Sequence, residues 1–257
     1  MAIDVFDPLF LAAASPAVLL AGVSKGGFGA GAGFAATPLL ALVVDPALAV
    51  GMMLPLLMVM DATGLRAYWR RWNWPDARAM MIGCVPGIAL GAAFFTVVPQ
   101  DAIRLLIGGI ALAFVAFQLA RERGWDPTGG RASPVWRGVP WGAVAGFTSC
   151  VTHAGGPPAA VHLLGRRLDK SLYQATTVIV FWWINLVKVG PYWAVGLFDD
   201  GQLRAALWLA PVAVIGMLAG VWAHSRVDDR LFFALIRVFL TITGCKLIWD
   251  GATGLLA

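Results

Sequence analysis

Charged side chains are scarce in this sequence: Asp, Glu, Lys and Arg together make up only 13% of its 257 residues. Soluble domains carry about 25% charged residues. Hydrophobic residues account for 60% of the chain, and its mean hydropathy is +0.78. A water-soluble fold cannot hide so much apolar surface. The composition therefore predicts an all-α polytopic membrane protein with a single membrane domain.

Cysteine and histidine are rarer still, with three residues of each type. The cysteines, Cys84, Cys150 and Cys245, are isolated within apolar runs. They form neither a disulfide framework nor the spacing of a metal site. The chain also lacks the glycine-rich P-loop motif, so ATP does not drive it directly. We therefore expect no catalytic residues, no metal and no cofactor.

Acidic residues are outnumbered by basic ones, which leaves a net charge of +5. The arginines stand at the ends of apolar segments, as membrane orientation requires, and this argues against a nucleic-acid partner. The N-terminus lacks the basic region of a signal peptide and carries Asp4 and Asp7 instead. We interpret the apolar stretch that follows as the first membrane segment, with the N-terminus outside.

Eight apolar runs make up most of the chain. Six of them have the length of one membrane span, which needs about 20 residues. The first and fifth runs differ because glycine-rich stretches interrupt them. In order, the runs cover residues 9–44, 47–69, 78–98, 102–120, 138–165, 171–197, 203–224 and 230–250.

Arginine-rich loops follow the second, fourth, fifth and seventh runs, and positively charged loops face the cytoplasm. The loops at 98–100 and 198–201 carry no positive charge and should lie outside. Both ends of the fifth run are then cytoplasmic, so this run must enter the membrane and return as two half-helices. Such a break is tolerated only where it is buried in protein or lines a cavity.

An internal repeat appears when the chain is shifted by 124 positions. The predicted halves cover about 1–125 and 137–257, with a polar linker at about 121–136. Equivalent loops carry different charge, so the halves should be inverted, and inverted repeats with broken helices are typical of secondary transporters. The matched pairs are Asp45 and Asp169, Asp61 and Asn185, Tyr68 and Tyr192, and, with five more residues of offset, Gly87-x3-Gly91 and Gly216-x3-Gly220.

The two interrupted stretches, "SKGGFGAGAGFAATPLL" and "GFTSCVTHAGGPPAAVHLL", resemble the paired motifs of the TauE/SafE family of sulfite exporters and toluenesulfonate-uptake permeases. The first motif is a glycine-rich elbow followed by Pro-Leu-Leu, here 31–40. The second is Gly-Gly-Pro-Pro followed by an aliphatic run, here 155–164. The resemblance covers essentially the whole chain. It implies a transporter of sulfite, sulfonates or other small organic anions in the bacterial cytoplasmic membrane.

Both interrupted stretches are candidates for an anion site. Glycines that open a helix expose backbone N–H groups, and a proline in the first turn begins a half-helix well. The N-terminus of a half-helix offers free N–H groups and a positive dipole end. Alternatively, the glycines only permit close helix packing, which is also how we interpret the two Gly-x3-Gly pairs. The predicted substrate-binding residues are Lys25, Gly26, Gly27, Phe28, Gly29, Gly31, Gly33, Thr148, Ser149, Thr152, His153, Gly155, Gly156, Pro157 and Asn185.

Several side chains in the predicted spans are ionisable, and a charge inside a membrane is costly and by default functional. Lys25 either attracts the anion or extends to the membrane surface. Lys188 should face a cavity or pair with a carboxylate, for which Asp61 is the candidate; a structural pair of Asp61 with a lysine or with Arg66 is the alternative. His153 is a proton-coupled site, an anion donor or a structural histidine. The hydroxyls of Thr148, Ser149 and Thr152 either donate to an oxyanion or bond back to their own helix.

The function expected from these features is secondary transport of a small sulfur-containing anion by alternation of two inverted halves. A potential that is negative inside favours export of an anion. A carrier of another organic anion, an anion channel and, remotely, an intramembrane enzyme using His153, Cys150 or Lys25 are the alternatives. The partners expected are the lipid bilayer and the anion. Proton or ion coupling and a homodimer are left open.

The topology can be tested by labelling single cysteines with a membrane-impermeant maleimide, after the three native cysteines are replaced by serine. We expect Pro99→Cys and Gly201→Cys to be labelled from outside intact cells. Gly129→Cys should be labelled only after the cells are opened, because the linker should be cytoplasmic. Labelling of Gly129→Cys from outside would contradict the inverted arrangement.

Overall fold

The computed structural model describes residues 7–27, 36–126, 133–198, 200–223 and 229–256. Over these ranges the chain is helical and contains no strand, which confirms the predicted class. The α-helices are α1 Pro8–Gly27, α2 Ala36–Leu40, α3 Pro46–Ala67, α4 Trp74–Val97, α5 Gln100–Glu122, α6 Gly138–Thr152, α7 Gly156–Gly165, α8 Lys170–Ala194, α9 Asp200–Ala223 and α10 Asp229–Leu256.

Six of these helices, α1, α3, α4, α5, α8 and α9, are long and apolar enough to cross a membrane. Their outward surfaces are apolar as well. Ile82 and Leu90 of α4 are each 66% exposed, and Leu207 of α9 is 74% exposed. A soluble monomer rarely exposes so much contiguous apolar surface, whereas a bilayer accommodates it. The chain is therefore a multi-pass membrane protein.

An aspartate side chain caps the N-terminus of both α3 and α8. The Asp45 carboxylate accepts a hydrogen bond from the N–H of Ala47 at 2.9 Å. The Asp169 carboxylate accepts two, from Ser171 at 3.0 Å and Leu172 at 2.9 Å. A carboxylate at this position satisfies N–H groups that have no partner within the helix. The two caps are one of the residue pairs that the sequence repeat matched.

The fifth apolar run forms two helices, as predicted. α6 ends at Thr152, and His153 follows in the left-handed conformation with φ 59°. α7 begins at Gly156 with proline in its first turn. The first run likewise contributes two helices, α1 and α2, with residues 28–35 between them outside the described ranges.

Glycines bring two pairs of helices into close contact, α1 with α9 and α4 with α6. A Cβ on Gly216 would lie 2.7 Å from the carbonyl oxygen of Leu19, and one on Gly22 would lie 2.8 Å from the amide nitrogen of Met217. In the second pair, a Cβ on Gly87 would lie 2.8 Å from the carbonyl carbon of Ala143. Backbone meets backbone at these points, which confirms the packing interpretation of the Gly-x3-Gly pairs.

Helices of one predicted half pack against helices of the other. α1 and α4 of the first half pack on α9 and α6 of the second, while α5 packs on α10 and α3 on α8. Two hydrogen bonds repeat in the same way. The Tyr68 hydroxyl donates to the Gly26 carbonyl at 3.0 Å, and the Tyr192 hydroxyl donates to the Cys150 carbonyl. The two donors are 124 residues apart in the sequence, and so are the two acceptors. These contacts agree with a repeat, whose boundaries and inversion stay predictions.

The glycine contacts give a stability prediction. Gly87→Ala should destabilise the protein by about 1–3 kcal/mol, because the added methyl group has no space against α6. Gly109→Ala is the matched control, since nothing lies within 4 Å of a Cβ on Gly109. Thermal unfolding in detergent measures both. Equal melting temperatures for the two variants would contradict the contact.

Candidate functional site

Three ionisable side chains from different helices lie inside the membrane domain. Lys25 is in the last turn of α1, Asp61 is in the second half of α3, and Lys188 is in the second half of α8. Lys25 is 6% exposed, and the other two are 0% exposed. Charges are rare in this environment and need partners. The partners of the two lysines differ, and this difference defines the site.

Lys25 is neutralised by a carboxylate. Its ammonium nitrogen lies 2.5 Å from Asp61 Oδ1, and the amide of Asn185 donates to Asp61 Oδ2 at 2.6 Å. Asn185 is the residue that the repeat matches to Asp61. The Phe181 ring lies 6.0 Å from the ammonium group. α1, α3 and α8 therefore meet at a buried ion pair, and Lys25 does not extend to the membrane surface.

The predicted pairing of Asp61 with Lys188 and the alternative pairing with Arg66 are wrong, whereas the alternative of a structural pair with a lysine agrees with the structure. Asp61 pairs with Lys25, whereas Arg66 is exposed and Lys188 bonds elsewhere. The reason is the helix crossing. α1 ends beside the second half of α3, while Lys188 lies one turn beyond Asn185 on α8 and reaches α6.

Lys188 has only neutral partners among the described residues. Its ammonium nitrogen lies 3.1 Å from the Ser149 carbonyl oxygen, 3.1 Å from Ser149 Oγ and 2.8 Å from His153 Nδ1. The Tyr192 ring is 5.7 Å away. No carboxylate of the described ranges comes within ion-pair distance of Lys188. When Lys188 is protonated, the site therefore carries one positive charge that the protein does not neutralise.

His153 orients this group of residues. It ends α6 in the left-handed conformation, which non-glycine residues seldom adopt. Its Nε2 lies 2.9 Å from the Val50 carbonyl oxygen. A carbonyl only accepts, so we assign the proton to Nε2, and Nδ1 is then the acceptor for Lys188. Both ring nitrogens are used, and the ring is held between α3 and α8.

The N-terminus of α7 packs against Ser149, a partner of Lys188, and against the Phe181 ring, which lies near Lys25. A Cβ on Gly155 would lie 2.9 Å from the Phe181 ring and 3.0 Å from Ser149 Cβ, so only glycine fits there without a shift. Gly155 and Gly156 are both buried, and Pro157 follows in the first turn. First-turn N–H groups have no acceptor within the helix and bear partial positive charge. At this helix end only Gly155 and Gly156 can offer such N–H groups, because Pro157 and Pro158 have none.

At the first break, two of the predicted residues differ from the prediction. Gly26 and Gly27 do not open α1, because the helix continues through Gly27. A Cβ on Gly27 would lie 2.5 Å from the Gly220 carbonyl oxygen, and Gly26 packs against Met217 in the same way. These glycines serve the contact with α9. The other predicted residues of this break, Phe28, Gly29, Gly31 and Gly33, lie outside the described residues.

Two predicted hydroxyl donors bond back to their own helix. The Thr148 hydroxyl donates to the Val144 carbonyl at 2.9 Å, and the Thr152 hydroxyl donates to the Thr148 carbonyl at 3.1 Å. This is the alternative considered for both threonines. Ser149 differs because its oxygen accepts from Lys188.

Sequence reasoning missed two cross-links between the halves. Gln174 of α8 donates to the Lys25 carbonyl at 2.9 Å and holds the end of α1. The residue that the repeat matches to Gln174 is Val50, whose carbonyl oxygen bonds to His153 at the end of α6. The 124-residue shift alone could have related Gln174 to Val50. Nothing in the sequence indicates that a valine contributes through its carbonyl.

A second buried cluster lies apart from the lysines and fixes the end of α7. The Asp76 carboxylate accepts from Arg166 Nε at 2.8–3.0 Å and lies 3.2 Å from His162 Nε2. Arg166 also donates to the Ser133 carbonyl at 2.7 Å. Asp76 and His162 are completely buried. The cluster ties α7 to the start of α4 and to the end of the linker.

Comparison with known protein families places the whole membrane domain in context. A model of the family described as sulfite exporter TauE/SafE matches residues 14–247. The chain belongs to the TauE/SafE family. No curated protein and no solved structure matches it. With its membrane-spanning helices, the chain is a multi-pass protein of a transporter family.

The ion pair between Lys25 and Asp61 gives a stability prediction. Lys25→Met or Asp61→Asn alone should cost about 3–5 kcal/mol, because each leaves a buried charge unpaired. The double variant should be more stable than the sum of the two losses implies. Melting temperatures in detergent for the four proteins give the coupling energy.

The control for this cycle is the exposed pair formed by Lys246 and Asp250, at 2.5 Å. Asp250→Asn should change stability by less than about 1 kcal/mol. Additive losses in the Lys25–Asp61 cycle would mean that the buried pair is not energetically coupled.

Proposed function

We propose that this protein is a secondary transporter that moves sulfite or an organosulfonate out of the cell across the cytoplasmic membrane. The observation that carries the proposal is Lys188, a buried lysine without a carboxylate partner in the described ranges. A buried positive charge of this kind favours an anionic ligand. The chain's membership of a family described as sulfite exporters supports a sulfur oxyanion as that ligand.

The proposed anion site lies between Lys188 and the N-terminus of α7. The ammonium group supplies charge, and the N–H groups of Gly155 and Gly156 supply donors without adding mobile side chains. His153 and Ser149 hold the ammonium group in place. Oxygens of a small sulfonate or sulfite suit such a cradle, because several donors can bond one oxyanion. Lys25 contributes less to charge here, because Asp61 neutralises it.

Alternating access is the proposed mechanism. The helices that surround the site come from both halves, and binding sites of secondary transporters lie at the interface between repeats. α3 and α8 contribute the Val50 carbonyl and Lys188, while α6 and α7 contribute the break itself. Rocking of one half against the other would expose the site to each side in turn. Both termini would lie on the outer side.

The proposal predicts saturable uptake of labelled sulfite or sulfoacetate into proteoliposomes. Lys188→Gln should reduce the rate at least about tenfold, because a lost charge-assisted contact is worth about 1.5–3 kcal/mol. His153→Ala should have a smaller effect, since it only releases the ammonium group. Lys246→Gln is the matched control, because Lys246 is an exposed lysine of α10 paired only with Asp250.

The outcomes separate the alternatives. Flux that does not saturate and appears as single-channel conductance would indicate an anion channel. Flux of carboxylates but of no sulfur anion would indicate a carrier of another organic anion. Sulfur-anion flux that is unchanged in Lys188→Gln would move the site away from the second break.

A further inference from the structure

We propose that the transported anion is accompanied by one proton, which the Lys188–His153 pair holds, so that a monovalent anion crosses the membrane without net charge. The inference rests on the proposed function and adds the coupling ion to it.

The Lys188–His153 pair shares one proton between two basic nitrogens. The distance of 2.8 Å between Lys188 Nζ and His153 Nδ1 is that of a direct hydrogen bond. The Val50 carbonyl can only accept a hydrogen bond, so Nε2 of His153 carries a proton. The nitrogen that accepts from Lys188 is therefore Nδ1. One bridging proton between Nζ and Nδ1 gives the pair a charge of +1. Its loss to water leaves a neutral amine and a neutral imidazole, and no other bond changes.

The groups that face the pair do not supply a counter-charge. The thiols of Cys84 on α4 and Cys150 on α6 and the phenol of Tyr192 on α8 are neutral groups within its electrostatic range. Lys25 of α1 and Asp61 of α3 are also in range, but they cancel each other. The charge of the site is therefore +1 or 0, and the proton on the Lys188–His153 pair decides which.

Anion and proton binding stabilise each other for this reason. With the anion bound, the protonated pair is neutralised. Without it, an isolated charge in the membrane interior costs several kcal/mol, and a buried group releases its proton rather than bear that cost. Coupling of this kind is reciprocal, so the proton raises anion affinity as much as the anion raises proton affinity. The loaded site is then neutral, and so is the empty one.

Electroneutral transport has a direct consequence for direction. The membrane potential neither drives nor opposes a cycle that moves no net charge. The concentration gradients of the anion and the proton then set the direction, so export proceeds when the product of the two concentrations is higher inside the cell than outside. The proton is taken from water on the loading side and returned to water on the other side.

The test uses proteoliposomes of the full chain with a pH-sensitive dye inside and the potential clamped by potassium and valinomycin. Ethanesulfonate is the main probe, because a sulfonate is a strong acid and stays a monoanion. Bisulfite at mildly acidic pH is run in parallel, and protein-free vesicles are subtracted. We expect an inward ethanesulfonate gradient to acidify the lumen by one proton per anion. The final anion ratio should be independent of the potential, whereas an uncoupled monoanion would shift about 50-fold for every 100 mV.

Two variants assign the proton to the pair. Lys188→Arg keeps the charge but cannot release a proton. His153→Gln offers an acceptor to Lys188 but cannot take one. We expect both to carry fewer protons per anion, with any remaining flux dependent on the potential. Lys246→Arg, an exposed residue, should behave as wild type.

Each outcome decides a different point. Anion flux in wild type that follows the potential and moves no protons overturns the coupling but leaves the proposed function standing. Proton coupling that is unchanged in both variants overturns the assignment to the Lys188–His153 pair. The absence of flux for both probes in wild type overturns the proposed function and this inference together.

Discussion

The cost of an unpaired charge in an apolar interior is the constraint on which the centre of this structure depends. The protein meets it twice, in different ways. Lys25 is neutralised by Asp61, and this pair holds α1, α3 and α8 together. Lys188 is surrounded by a carbonyl, a hydroxyl and an imidazole, which satisfy its hydrogen bonds but not its charge. A structural role suits the first arrangement, and a ligand that brings a negative charge suits the second.

Close backbone contacts allow both arrangements. The ends of two broken helices must reach the middle of the domain, and glycines let α1 and α6 approach α9 and α4 at backbone distance. Gln174 and the Val50 carbonyl then hold these two ends from the opposite half. Asp76 and Arg166 fix the far end of α7. The site is thus positioned by helix ends that are anchored, although the helices themselves are interrupted.

Much of this organisation could be predicted from the sequence, because spans, breaks and caps depend on local properties. Apolar length marks the membrane segments, glycine and proline mark the second break, and Asp45 and Asp169 mark two helix starts. The side chains of the site were also indicated, since a lysine within an apolar run is conspicuous. Their pairing could not be predicted. Which lysine reaches Asp61 depends on where two helices cross, and tertiary packing alone determines that.

The first break shows a second limit. A glycine that opens a helix and a glycine that packs a helix look the same in a sequence, and the surrounding "SKGGFGAGAG" motif suits both roles. Gly26 and Gly27 proved to be packing residues because α9 lies against them. Val50 illustrates the opposite case. Its contribution is a carbonyl group, which every residue has, so no residue type could have signalled it.

The packing of helices from one predicted half on helices of the other also bears on the origin of the chain. α1 packs most extensively against α9, and α4 against α6. Both partner helices belong to the other predicted half. Neither half contains the surface on which its own glycine-lined helices pack. A single predicted repeat would lack the partner helices of its own α1 and α4 and could meet them only in a second copy of itself. In packing terms, the two predicted repeats meet as the chains of such a pair would, joined into one polypeptide by the linker.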